Sequence, residues 1–327
     1  MKKISGPIED QKTVLELMNV ALEHEWAVSL EYLIHAYSMA KGKHFYEDPV
    51  MQQRTDVRAQ TIQIGIDEMY HSLQLGIVIT QMGGEPSFRT DEVIRFPRVI
   101  DNLKRDKRTE DLVTDLYQNS AIKEGFFPEV RNMVLNISYD EVRHSRQFRA
   151  MIEAVENSGG ADERLIQADP GIDGRDDVRL VHEIMMLEND LMHRYLRSTI
   201  LFSGHQDLSQ RLFKNSIDHM RHWDKNAGAL VRLGTVMRLE NAERGAKGEE
   251  VSRTPMPADY PKLDRRPALE ILLPAERALV AKYEALLACV PPGDLHAQWR
   301  LHLALKREHV FTLERLLENA GRVTGLK

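Results

Sequence analysis

Apolar residues recur every three or four positions along most of the chain, as in Leu187, Leu191 and Tyr195 or Leu301, Leu305 and Val310. That period follows the turn of an α-helix and gives each segment one apolar stripe to bury. Glycine and proline gather in a few stretches, whereas a chain of short strands would need turn signals every 8–12 residues or so. The pattern predicts eight helices, at roughly 10–41, 50–82, 107–125, 128–157, 176–203, 206–238, 268–290 and 294–321. Pro128 suits a first helical turn, where its missing N–H costs nothing. Breaker-rich stretches fall at 82–97, 158–174 and 245–267, and the middle one separates four helices from four. The expected fold is all-α: one four-helix bundle over 1–158, a linker over 159–175 and a second bundle over 176–327. A length of 327 residues agrees, since it suits two domains of about 150 each.

The two halves repeat each other. Ile66-Asp67-Glu68-Met69-Tyr70-His71 returns as Ile217-Asp218-His219-Met220-Arg221-His222. Glu25 is followed seven residues later by Tyr32, and the same spacing joins Glu110 to Tyr117, Glu188 to Tyr195 and Glu276 to Tyr283. Seven residues is close to two helical turns, so each pair shares a face. His144 finds its counterpart in His309. One duplication with insertions confined to loops accounts for all of these correspondences.

Composition narrows the chemistry. A net charge of -6 without a basic stripe argues against nucleic acid as a partner. The single cysteine, Cys289, excludes an internal disulfide framework and a cysteine metal cage, and fits a reducing compartment. Met1 to Pro7 turns polar before a signal-peptide core could form, and no stretch is apolar enough for a membrane span. A soluble, cytoplasmic protein is the expectation. No phosphate-binding glycine loop, dinucleotide fingerprint or nucleophile motif is present.

The first half does carry the ligand set of a dinuclear metal site. Such a site in a four-helix bundle takes one Glu from each of two helices and Glu-x-x-His from each of the other two. Glu25, Glu68-x-x-His71, Glu110 and Glu141-x-x-His144 supply it in order. On the third helix Asp111 and Glu124 are alternatives to Glu110. Asp67 and Asp140 precede the two Glu-x-x-His units, placed to accept the outer imidazole N–H from the opposing helix. Tyr32 and Tyr117 are placed to hydrogen-bond a ligand carboxylate. His24, His35, His44, His182, His193, His205, His296 and His302 lack such a pattern and are expected at the surface or in the core, and Met185, Met186 and Met192 as core filler.

The segments 25–36 and 66–71 resemble the first two helices of bacterioferritins, and the whole pattern is similar to the ferritin-like superfamily, including rubrerythrins. The resemblance covers the first 157 residues, with the remainder as a decayed copy. It implies that Glu25 and Glu110 are terminal carboxylate ligands, Glu68 and Glu141 bridging ones, and His71 and His144 the nitrogen ligands. Two iron ions are the implied cofactor, although manganese or a mixed pair suits the same donors.

In the second half the corresponding set is Glu188, His219, His222, Glu276, Lys306 and His309. An ammonium at 306 would repel a dication and balance the buried carboxylates itself. A metal-free structural bundle is expected there, with a mononuclear site from Glu188, His219 and His222 as the alternative. The functional expectation is a non-haem diiron oxidoreductase activating dioxygen or peroxide, with an electron donor or small organic substrate as a further partner. A ferroxidase that oxidises Fe(II) is the rival, and a metal-stabilised binding or assembly module the third class. A fused, asymmetric pair suits a small assembly such as a homodimer better than a symmetric storage shell.

Overall fold

The computed structural model describes residues 8, 10–87, 89, 92–118, 127–165, 169–239, 242–252 and 265–320. It is mostly helical and divides into two compact units. The first comprises Met1–Leu165 with Leu239–Pro255, the second Ile166–Arg238 with Met256–Lys327. Residues 239 and 242–252, which the sequence pattern assigns to the second bundle, therefore lie with the first unit, as do 159–165 of the expected linker.

Four long helices build the first unit: α1 (Gln11–Tyr37), α2 (Val57–Gln81), α3 (Val99–Gln118) and α4 (Pro128–Asn157). Local chemistry sets their ends. The carboxylates of Asp10 and Asp56 accept from the N–H groups of Thr13 and Ala59, each at 2.9 Å, satisfying a donor that has no partner within its helix. Pro128 occupies the first turn of α4, as expected. From Glu25 to Tyr37, α1 is buried on every face, so it lies inside the unit instead of at its edge.

Two apolar clusters show how the helices run. One contains Met18, Leu22, Leu75, Ile79, Val113, Tyr117, Val134 and Ile137. The other contains Val28, Tyr32, Val57, Ile64, Ile100, Leu103, Phe148 and Met151. Along α1 and α4 the first cluster precedes the second, and along α2 and α3 the order is reversed. Thus α2 and α3 run the same way, and the 82–98 connection must return the length of the bundle. Between the two clusters, at the middle of all four helices, lie the buried polar residues described below.

That return holds a strand, β3 (Val93–Arg95). It pairs antiparallel with β5 (Glu250–Ser252), which pairs in turn with β4 (Ala242–Arg244), in the sheet order β3-β5-β4. A second small sheet joins β1 (Phe45–Glu47) to β2 (Arg54–Asp56). The expectation of an all-α chain is corrected to this extent. Segment 50–56, expected as the start of the second helix, contains β2, and α3 begins at Val99, well before the expected 107.

The second unit has a short α5 (Pro170–Asp173), then α6 (Asp176–Leu201), α7 (Gln206–Leu233), α8 (Arg265–Glu270), α9 (Leu272–Cys289) and α10 (Asp294–Ala320). Gly234 closes α7 at φ 91°, a left-handed conformation that glycine adopts without steric penalty. Among the described residues no helix is long and apolar enough to cross a membrane.

Candidate metal centre

The six residues singled out in the first half meet at the centre of its four helices, and all are buried. Glu-x-x-His places both side chains of α2 and both of α4 on the inner face. Donor atoms of Glu25, Glu68, His71 and Glu141 lie within 4.8 Å of one another, as do those of Glu68, Glu110, Glu141 and His144. Two four-residue sets therefore share Glu68 and Glu141. Glu68 reaches His71 Nδ1 with Oε2 and His144 Nδ1 with Oε1, both at 2.8 Å. Glu141 faces the same two nitrogens at 3.2 and 3.9 Å. Glu25 approaches only His71, at 3.4 Å, and Glu110 only His144, at 3.6 Å.

The surrounding residues fix this arrangement. His71 Nε2 faces Asp140 Oδ2 at 3.3 Å, and His144 Nε2 faces Asp67 Oδ2 at 3.2 Å, so each imidazole is oriented by the helix opposite. With Nε2–H donated outward, Nδ1 points into the cluster. Arg143 reaches both aspartates, at 3.0 Å to Asp67 and 2.9 Å to Asp140. Sequence reasoning missed this arginine, whose only signal is its place beside His144. The tyrosines cross over as well: Tyr32 donates to Glu110 at 2.6 Å, and Tyr117 donates to Glu25.

Charge is unbalanced at this centre. Burial and the negative charge of Glu110 push Glu68 up to about 7 despite the two imidazoles. Burial and repulsion from Glu68, Glu110 and Glu25 raise Glu141 well above the carboxylate range. Burial opposes a charge on Glu25, but the hydrogen bond and charge of His71 bring it down to about 2. Burial disfavours the imidazolium forms of His71 and His144, yet Glu68 and the other carboxylates raise both well above the ordinary value. Glu68 Oε1, Glu110 Oε2, Glu141 Oε1 and His144 Nδ1 are buried without a well-directed hydrogen bond. Convergent orphan oxygens and an inward nitrogen are what one or two cations would satisfy, and this donor set fits a pair of divalent metal ions.

On the third helix, Asp111 turns outward, held by Lys107 at 2.6 Å and by Ser145 at 2.5 Å. Glu110 is the residue facing the cluster, and Glu124 lies outside the described residues. A narrow crevice, too tight to admit a water molecule, lies against the carboxylates, lined by His24, Val28, Tyr32, Thr109 and Val113 beside Glu25, Glu110 and Glu141.

A second polar network, unforeseen in the sequence, adjoins the first. His35, expected only as a surface or core residue, is fully buried and bonds Asp106 at 2.8 Å and the Ile94 carbonyl at 2.7 Å. Glu31 accepts from the Ile94 N–H at 2.8 Å and from Arg105 at 2.5 Å. These bonds tie α1 to α3 and to β3.

Residues 18–117 match the Ferritin-like family model. The matched span carries Glu25, Tyr32, Glu68, His71, Glu110 and Tyr117, while Glu141 and His144 lie beyond it on α4. No curated protein and no solved structure matches the chain.

The second unit gathers its six residues too, but around an ammonium. Lys306 Nζ lies fully buried, 3.0 Å from Glu188 Oε2 and 2.9 Å from His219 Nδ1. Glu276 receives His219 Nε2 at 3.0 Å and His309 Nδ1 at 2.8 Å. Tyr195 donates to Glu276 at 2.8 Å and Tyr283 to Glu188 at 2.7 Å, the same crossed pattern as in the first unit. Although burial opposes it, Lys306 and His219 hold Glu188 well below the usual carboxylate range, and His219 with His309 does so for Glu276. The trio whose donor atoms close within 4.8 Å is His219, Glu276 and His309, a different one from the Glu188, His219 and His222 offered by the sequence. His302, expected without a partner, stacks on His222 with ring centroids 3.9 Å apart.

Proposed function

We propose that the first unit holds a carboxylate-bridged pair of iron ions and acts as a non-haem oxidoreductase on dioxygen or peroxide. The observation that carries this reading is the pair of donor sets sharing Glu68 and Glu141. Glu25 and His71 would complete one ion, Glu110 and His144 the other, with Glu68 and Glu141 spanning both. A ferrous pair bound there would supply two electrons to a small oxidant.

The chain's own contribution is orientation and insulation. Asp67 and Asp140, bridged by Arg143, keep each Nδ1 free to face inward. Tyr117 and Tyr32 hold one oxygen each of Glu25 and Glu110, leaving the other oxygen for the centre. Apolar clusters on both sides exclude water and strengthen each electrostatic contact inside.

The second unit is read as a duplicated copy that has lost the metals. Its crossed Tyr–Glu pairs reproduce those of the first unit, while Lys306 stands where Glu141 would fall and provides the positive charge.

Metal analysis of protein purified without added metal tests the reading, with Glu68→Ala and His71→Ala alongside. About two ions per chain are expected in the parent, with most of the metal and the oxygen- or peroxide-dependent turnover lost in both variants. A metal-free parent, or variants with unchanged metal and turnover, would overturn the proposal. Manganese in place of iron would revise the metal alone. Fe(II) oxidation far beyond the bound pair, or a large assembly with an iron core, would move the reading to a ferroxidase.

A further inference from the structure

Beside α3 the first unit has a cavity of about 630 Å³ that the metal reading does not use. Three segments distant in sequence wall it: the approach to α3 with the outer face of that helix, Arg164, and Lys247 in the turn between β4 and β5. Asp101, Lys104, Arg105 and Arg108 follow each other at helical spacing, so they share one face of α3. The backbone fixes the walls: Leu165 N–H donates to the Pro97 carbonyl at 2.8 Å, and Val99 N–H to the Glu163 carbonyl at 3.0 Å. Gly248, at φ 79°, sets the hairpin turn against Pro97, whose Cγ would be 3.6 Å from an added Cβ.

Six cations line this cavity against one carboxylate, Asp101: Arg98, Lys104, Arg105, Arg108, Arg164 and Lys247. Three of them are neutralised locally. Arg98 pairs with Asp101 at 2.7 Å, Lys104 with Glu156 at 2.8 Å and Arg105 with Glu31 at 2.5 Å. Arg108, Arg164 and Lys247 have no ion pair among the described residues. Three uncompensated cations around a concavity focus positive potential there, in a chain whose net charge is -6. Two of the three are guanidinium groups, whose planar fork matches phosphate oxygens bidentately. Phe96 and Pro97 add an apolar wall, and the volume falls in the range of small-molecule sites. The charge is confined to one hollow instead of forming the stripe that a nucleic-acid backbone needs.

We propose that this cavity binds a small molecule bearing two linked phosphoryl groups, with Arg108, Arg164 and Lys247 as the groups that recognise them. The site is independent of the carboxylate cluster. Isothermal titration of the full chain with sodium pyrophosphate tests it, with sodium sulfate as the control and Arg108→Glu and Arg164→Glu as variants. Both arginines are solvent-exposed, so circular dichroism should show the variants folded. Saturable one-to-one binding is expected, at least about tenfold tighter than sulfate and weakened at least about tenfold by either reversal, as for a charge-assisted hydrogen bond. Heat from pyrophosphate stripping metal off the carboxylate cluster would persist in both variants, so its persistence with no loss of affinity would overturn the proposal. So would absence of binding, or sulfate binding as tightly.

Discussion

A buried carboxylate is tolerated only beside positive charge, and the chain meets that requirement differently in its two units. Whenever the first unit binds no metal, protons must serve. A carboxyl group raised on folding binds more protons folded than unfolded, so stability falls as pH climbs between the two values. For Glu68 that window runs from 4.5 to about 7. His71 and His144, raised from 6.5, extend the loss in the same direction to higher pH. Chelator-treated protein should therefore melt several degrees lower at pH 8 than at pH 6, and metal loading, which displaces those protons, should abolish the slope. A pH-independent melting temperature without metal would contradict this. In the second unit the charge is covalent. Lys306→Met removes the ammonium 3.0 Å from the buried Glu188 and should cost about 3–5 kcal/mol in a denaturant titration; no loss would show that Lys306 is not the balancing charge. At this scale the convergence of these six side chains was legible because Glu-x-x-His spacing alone puts both side chains on one helix face. Asp111 could not be separated from Glu110 by spacing, and only the rotation of α3 decides between them. Arg143 and the His35–Asp106 pair were invisible because the contacts that give them meaning are long-range: Asp67 lies 76 residues from Arg143, and Asp106 lies 71 from His35.

The helices were legible where an apolar stripe is long and its ends carry caps. α4 was placed to the residue, since Pro128 marks its start and Ser158-Gly159-Gly160 its end. α3 was misjudged because its start was set at 107, well past the Phe96-Pro97 end of the break, whereas Pro97 lies just ahead of the first turn. Strands of three residues give no useful period-two signal, so all five among the described residues escaped notice. Glycine meaning also depends on the element. Gly65 sits where α1 and α2 touch: an added Cβ would stand 3.2 Å from Leu33 Cγ and 3.3 Å from the Ser29 carbonyl oxygen. Gly65→Val should destabilise by about 1–3 kcal/mol through overpacking. Gly228 lies inside α7 with nothing within 4 Å of such an atom. Gly228→Ala should stabilise by about 0.5–1 kcal/mol. Chemical denaturation of the two variants checks both, and equal effects would mean that contact at Gly65 is not limiting.

Over the whole molecule, the sequence pattern showed two helical halves but not that the stretch after α7 returns to the first. The breaker-rich 245–267 segment looked like a connection, because a hairpin pairing with a strand some 150 residues earlier leaves no local mark. Its anchorage is specific: Arg95, buried on β3, reaches Glu250 with Nε at 2.8 Å and Nη2 at 2.5 Å. A chain stopped at residue 238 keeps α1 to α4 and loses both β4 and β5. Hydrogen exchange at residues 93–95 should then accelerate relative to the full chain, and unchanged protection would mean that the pairing contributes nothing. The same hairpin brings Lys247 to the cationic cavity, so this truncation should also weaken pyrophosphate binding.

The pairing of β3 with β5 also bears on how the polypeptide is made. During synthesis, the four helices of the first unit leave the ribosome well before their last strand does. Until about residue 252 has emerged, β3 has an unclosed edge, and the helices of the second unit are already being extruded. Closure of the earlier-made unit must therefore wait for a late segment, a long-range step of the kind that slows folding and exposes a nascent chain to mispairing.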